Sequence, residues 1–159
     1  MSVNKYQPHV LVLPEDDANR QLANGFLLDQ FLSNRKIQVL EQTGGWNEVL
    51  DCFQSVHANA MDRYPQRFMV LLIDFDGRED RLGSASAVIP NRLKDRVFVL
   101  GAWREPEALR QDLGSYEIIG LKMAKDCREN TYTTWEHHLL RHNAGELDRL
   151  RKHVLPILF

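Results

Sequence analysis

A chain of 159 residues, 43% hydrophobic and 26% charged, has the size and composition of one globular domain and is neither disordered nor membrane-embedded. No apolar run approaches the roughly 20 residues of a transmembrane helix. The leader Met1–Pro8 has no apolar signal-peptide segment, so a cytoplasmic protein without membrane contact is expected. A formal net charge of −2 gives no global basic footprint of the kind a stand-alone nucleic-acid binder shows.

His9-Val-Leu-Val-Leu-Pro14 is a short apolar run and predicts a first strand. Glu15-Asp-Asp17 follows it directly. Leu22, Phe26, Leu27 and Phe31 then recur at helical spacing, predicting a helix over Ala18–Phe31 with acids at the end its dipole favours. Lys36–Leu40 alternates as a second strand, and Thr43-Gly-Gly45 is a turn. Trp46, Val49, Leu50, Phe53 and Val56 predict a helix from Trp46 to Tyr64, closed by Pro65.

Met69-Val-Leu-Leu-Ile-Asp-Phe-Asp-Gly77 comes next. Its apolar run reads as a strand buried on both faces, ending in two aspartates and a glycine. Asp74 and Asp76 alternate with Phe75, which places both carboxylates on one side of an extended chain. Arg78–Gly83 is polar and reads as mobile, and Ser84–Leu93 predicts a short helix interrupted by Pro90. Arg96–Leu100 is a fourth strand ended by Gly101. Glu105-Pro106 opens a helix to Leu113, and Tyr116–Cys127 predicts another. Asn130–Thr134 is a loop, and Trp135–Arg141 predicts a short helix. Asn143 reads as the N-cap of a last helix through Val154, and Pro156–Phe159 as an apolar tail docked on the body.

Strands alternating with helices predict an α/β fold with a mainly parallel four-stranded sheet flanked by helices. Right-handed crossovers restrict its topology, and an order of 2-1-3-4 makes strands 1 and 3 neighbours. Their C-terminal ends then form the crevice where open α/β sheets bind ligands. Glu15, Asp74 and Asp76 would meet there. Three carboxylates repel one another unless a cation or proton intervenes. A hard oxygen site of this kind suits Mg²⁺ or Mn²⁺, with substrate phosphate completing the coordination. Arg78 and Arg81, just after the aspartates, are placed to steady that phosphate or to neutralise the acids.

Val10-Leu-Val-Leu-Pro-Glu15 followed by a helix, then Leu71-Leu-Ile-Asp-Phe-Asp-Gly77, resembles the Toprim pattern of topoisomerases, primases and OLD-family nucleases. The family has a glutamate after its first strand and Asp-x-Asp after its third. Glu15, Asp74 and Asp76 map onto these positions. The resemblance implies a Rossmann-like Toprim core over about residues 9–101, with a helical C-terminal extension over about 102–159, all in one domain. It implies that Asp74 and Asp76 bind Mg²⁺ or Mn²⁺ and that Glu15 is a third ligand or a general acid/base. It implies a nuclease-type activity on nucleic acid, a partner ATPase, and a role in mobile-element or phage conflict. The chain departs from the family pattern at Asp16, where glycine is usual.

Leu11–Arg20 also resembles the start of a response-regulator receiver, with Asp16 and Asp17 as the Mg²⁺ pair and Asp74 as phosphoacceptor. That family needs a hydroxyl residue after strand 4 and a lysine after strand 5. Leu100-Gly-Ala-Trp103 offers no hydroxyl, and no fifth strand ends in lysine. A receiver-like or non-catalytic interaction module is therefore the alternative reading.

Lesser candidates follow. His138 and His142 would share a helical face and need a third ligand to bind zinc, while His137 has no evident role. Glu105 and Glu107 suit a helix N-terminus. Trp103 and Trp135 read as packing residues. Cys52 and Cys127 lack metal-ligand spacing and are expected as free thiols.

Overall fold

The computed structural model describes residues 2–159. Four parallel strands form one sheet in the order β2-β1-β3-β4. They are β1 His9–Pro14, β2 Ile37–Val39, β3 Arg67–Leu72 and β4 Val97–Leu100. In the register, His9 lies beside Arg67, Pro14 beside Leu72, and Leu72 beside Leu100. The expected α/β architecture and strand order are those observed. The physical reason is the one read from the pattern: β1 and β4 are buried along their whole length, which only a sheet covered on both faces allows.

The helices are α1 Asp17–Phe26, α2 Trp46–Cys52, α3 Ala58–Arg63, α4 Asp80–Ala87, α5 Glu107–Leu113, α6 Tyr116–Glu129, α7 Ala144–His153 and α8 Leu155–Leu158. On one face of the sheet Val10, Val12, Val70 and Phe98 pack against Leu22 of α1, Ile119 and Met123 of α6, and Leu147 and Leu150 of α7. On the other, Leu11, Leu13, Met69 and Leu71 pack against Val49, Phe53, Met61 and Ala85. No helix among the described residues is long and apolar enough to cross a membrane.

Four local expectations need correction. The first helix ends at Phe26, not Phe31. Beyond it Asp29, 6% exposed, accepts a hydrogen bond from Phe31 N–H (2.9 Å) and pairs with Arg128 (3.2 Å), so the chain turns to satisfy a buried charge. The helix placed at Ser84–Leu93 begins at Asp80, within the segment expected to be mobile, and stops before Pro90. Trp135–Arg141 is a run of turns ending in a 3-10 helix over Arg141–Asn143. There the buried Asp126 carboxylate takes Thr131 Oγ1–H (2.7 Å) and Thr134 N–H (2.6 Å), which fixes the chain outside a helix. Asn143 does not cap α7 through its side chain. It clamps Gly101 instead, accepting from its N–H (3.1 Å) and donating to its carbonyl (2.9 Å).

The Trp46–Tyr64 segment is helical as expected, with a π-helical turn at Phe53–His57 between α2 and α3. The C-terminal tail docks, with Leu155 and Leu158 buried and Leu158 O accepting from Ser33 N–H (2.8 Å).

Candidate functional site

The strand pairing of β3 and β4 does not stop where the strands do. Ile73 N–H donates to Leu100 O, Phe75 N–H to Ala102 O and Gly77 N–H to Trp103 O. Gly101 must be glycine for this, since a Cβ there would lie 1.5 Å from Ile73 O. Asp74 is thus carried on chain paired to the continuation of β4, and the residue is 7% exposed. Asp76 and Gly77 then turn with φ of 51° and 69°, the left-handed region. The strand alternation ends there, and the Asp76 side chain is half exposed.

Glu15 follows β1, and its Oε2 accepts the Asp74 backbone N–H at 2.6 Å. The sequence expectation that Glu15 meets the end of β3 is met at this contact. Asp16 N-caps α1 through Asn19 N–H (2.9 Å). The Asn19 carboxamide, fully buried, donates from Nδ2 to both Asp16 Oδ1 and Asp74 Oδ1 at 3.0 Å each. Its own Oδ1 has no hydrogen-bond partner. Asp17 faces away, engaged with Arg20 and Gln21.

Burial pushes the Asp74 carboxyl up to about 7, and the negative charges of Asp16, Glu15 and Asp76 add to that, against the Asn19 hydrogen bond. Burial also raises Glu15, opposed first by the Asp74 N–H and supported by Asp16 and Asp76. In both acids burial is the leading cause and the neighbouring carboxylates add to it, while the Arg81 charge offsets part of the Glu15 shift.

The cation present is Arg81. It is 5% exposed, donates to Asp74 O (2.9 Å) and Asp76 Oδ2 (2.7 Å), and stacks 4.3 Å from the Trp46 ring. Arg78 pairs with Asp80 in solvent. So Arg81 is built into the wall, and Arg78 is turned to the first residue of α4. Asp76, Arg104, Glu105, Glu107 and Ala108 line an open groove of about 450 Å³. Arg104 comes close to Gly77, where a Cβ would sit 3.4 Å from its Cζ. Two residues of the site escaped the sequence reading. Asn19 was signalled only by Asp-x-x-Asn spacing at a helix start. Arg104 had no local signal, since strand pairing brings it there.

The histidines are dispersed. His142 packs against both Phe75 (4.7 Å) and Trp103 (5.1 Å), neither ring nitrogen makes a well-aligned hydrogen bond, and burial lowers its pKa against an opposing backbone contact at Gly101. His138 is exposed and stacks on His137, whose Nε2 is 2.8 Å from Asp112. Since 135–140 is not helical, His138 and His142 share no helical face, and the zinc expectation loses its geometry.

Among the described residues no three His, Cys, Asp or Glu side chains are grouped to hold a metal ion. Mg²⁺ asks for less than such a cage: one or two carboxylates, with waters and substrate phosphates completing the octahedron. Asp74 with Glu15 or Asp76 meets that requirement in kind. Asn19 faces these acids with its Nδ2, and its Oδ1 is buried without a partner. The donor chemistry fits Mg²⁺ or Mn²⁺. The three carboxylates do not form a closed cage, because Glu15 Oε2 is used by a backbone N–H and Asp76 Oδ2 by Arg81.

Comparison of the chain with protein-family models, with curated proteins and with solved structures finds no match.

Proposed function

We propose that the crevice between the C-terminal ends of β1 and β3 binds Mg²⁺ or Mn²⁺ and acts on nucleic-acid phosphodiesters, as a Toprim-like nuclease-type enzyme. The observation that carries this reading is Asp74. It is a buried carboxyl driven to about 7 by burial and three acidic neighbours, beside a buried amide oxygen with no partner. A divalent cation would neutralise that carboxylate, and when bound it would polarise a phosphoryl oxygen. Asp74 is held for this by Asn19, and Glu15 is held by the Asp74 N–H. Glu15, with its raised pKa, is suited to exchange a proton with a leaving or attacking oxygen. Asp76 is kept in place by Arg81. Arg104, which lines the same groove as Asp76, is better placed than Arg78 or Arg81 to meet a substrate phosphate. A cytoplasmic setting, a partner ATPase and a role in mobile-element or phage conflict belong to the same proposal and rest on the resemblance alone.

Nicking of supercoiled plasmid with Mg²⁺ or Mn²⁺, together with metal calorimetry, tests the reading. Wild type should bind metal and nick, and Asp74→Asn should do neither. A wild type that binds no metal sinks the proposal.

One observation favours a non-catalytic interaction module instead. Arg81 is a buried cation already bonded to Asp74 O and Asp76, so part of the acidic charge is compensated within the chain.

A further inference from the structure

The opposite end of the sheet carries the reverse charge problem. Arg67 opens β3 and is 6% exposed. Its Nε–H donates to His9 Nε2 (2.9 Å), and His9 Nδ1–H in turn donates to Gln7 O (2.7 Å). His9 is thereby fixed as a neutral tautomer and brings no negative charge. The Arg67 Nη atoms carry no hydrogen bond to any described residue, yet they are not sealed in the core. Among the described residues no carboxylate pairs with this guanidinium. Burial lowers its pKa, and burial likewise lowers His9 and His57, with the Arg67 charge adding a smaller push in the same direction. A buried charge left unpaired is costly, so a fold that keeps one invites an anion.

More cations surround it. The Tyr64 ring has Arg67 at 4.8 Å, Lys5 at 5.4 Å and Arg63 at 5.9 Å. Arg96 donates only to backbone carbonyls here, those of Met61, Tyr64 and Arg67. Asp62, an acid close by, is committed to Arg92 through two hydrogen bonds.

An aromatic completes the surface. Tyr6 is 76% exposed and meets Tyr64 edge-on at 6.1 Å. Its backbone is not loose: Gln66 Nε2–H donates to Tyr6 O (2.9 Å), and Val3 is buried with its N–H on Gln38. A large ring held on anchored backbone, facing solvent among cations, is a pre-organised stacking platform.

We propose that this N-terminal end of the sheet is a second binding surface, which takes single-stranded nucleic acid, with phosphates on Arg67, Arg63 and Lys5 and a base on Tyr6. Guanidinium forks match phosphate oxygens, and bases stack on aromatic faces without sequence preference. The tyrosines favour this occupant over an acidic protein segment, which would use the cations and leave Tyr6 idle. The surface lies at the far end of β3 from Asp74, about 20 Å along the strand. It stands whether or not the acidic crevice is catalytic.

Fluorescence anisotropy of a labelled oligothymidylate, measured at low salt with EDTA present, tests the proposal without any metal-dependent contribution. Wild type should bind. The logarithm of its affinity should fall with the logarithm of salt concentration at a slope of about −2, as for contacts to about three phosphates. Tyr6→Ala should weaken binding at least about fivefold. Lys5→Glu/Arg63→Glu should weaken it about tenfold or more. All three residues are exposed, so these variants should melt as wild type does, whereas Arg67→Ala would disturb the His9 pair. Absence of binding, or variants that bind as wild type, overturns the proposal. So does displacement by inorganic polyphosphate combined with no effect of Tyr6→Ala, which would mark a polyanion site indifferent to bases.

Discussion

Replacing Asp74 by asparagine should stabilise the metal-free protein at about pH 8 and change little at about pH 4. The folded carboxyl titrates at about 7 and the unfolded one near its ordinary 3.8, because burial and the charges of Asp16, Glu15 and Asp76 disfavour the anion. Below about pH 4 the group is protonated in both states and imposes no penalty. Between about 4 and 7 the unfolded chain has released its proton and the folded chain has not, so stability falls as pH rises. Above about 7 the full penalty stands. Three pH units at about 1.4 kcal/mol each set a ceiling of about 4 kcal/mol. Part of it is shared with Glu15, which shifts in the same direction. An asparagine keeps the shape and can still accept from Asn19 Nδ2–H. Urea denaturation with EDTA across this pH range, read as variant minus wild type, isolates the effect from other titrating groups. A difference that is flat with pH, or a variant less stable than wild type at about pH 8, would refute the argument that Asp74 is a penalised acid.

The same titration should appear in metal binding. Since the cation competes with a proton on Asp74, Mg²⁺ affinity by calorimetry should rise with pH up to about 7 and then level, with protons released below that point. Independently of the site, Gly120→Ala should destabilise the protein by about 1–3 kcal/mol, seen as a lower melting temperature. A Cβ there would lie 2.0 Å from Leu22 O on α1, whereas glycine-to-alanine in an uncrowded helix is stabilising, so a raised melting temperature would contradict the close α1–α6 approach.

Much of the fold was legible because it is written in one-dimensional patterns. Runs such as Val10–Leu13 and Val97–Leu100 have no polar face, and only a doubly covered parallel sheet accommodates them. Once the strands were placed, crossover handedness left Glu15 opposite Asp74. The expectations that failed were those where a buried polar group outweighs local spacing. Asp29 ends α1 early, Asp126 takes the Thr134 and Trp135 N–H groups where a helix was expected to begin, and Asn143 is used on Gly101 rather than on its own helix. Each of these residues has an ordinary surface or capping role in sequence, and its partner lies on another element. The arginines show the same limit. Arg78 and Arg81 are adjacent to the aspartates in sequence, but α4 starts early and turns Arg81 inward onto Trp46, while continued β3–β4 pairing brings Arg104 to Gly77.

Net charge concealed more than any single residue did. A total of −2 suggests a protein indifferent to polyanions. Mapped on the sheet, the charges separate: Glu15, Asp16, Asp74 and Asp76 at the C-terminal end, and Lys5, Arg63, Arg67 and Arg96 at the other. On these proposals a phosphodiester would be disfavoured at the acidic crevice until a divalent cation offsets the charge that Arg81 leaves uncompensated, while the basic end would attract it regardless of metal. On the two proposals together, nucleic acid would be held in EDTA and cut only when Mg²⁺ or Mn²⁺ is supplied. Charge reversal at Lys5 and Arg63 would then weaken binding in EDTA, while Asp74→Asn would abolish metal-dependent nicking. That separation follows from where the charges sit: Arg81 compensates only part of the acidic end, and Asp62, near the basic end, is committed to Arg92.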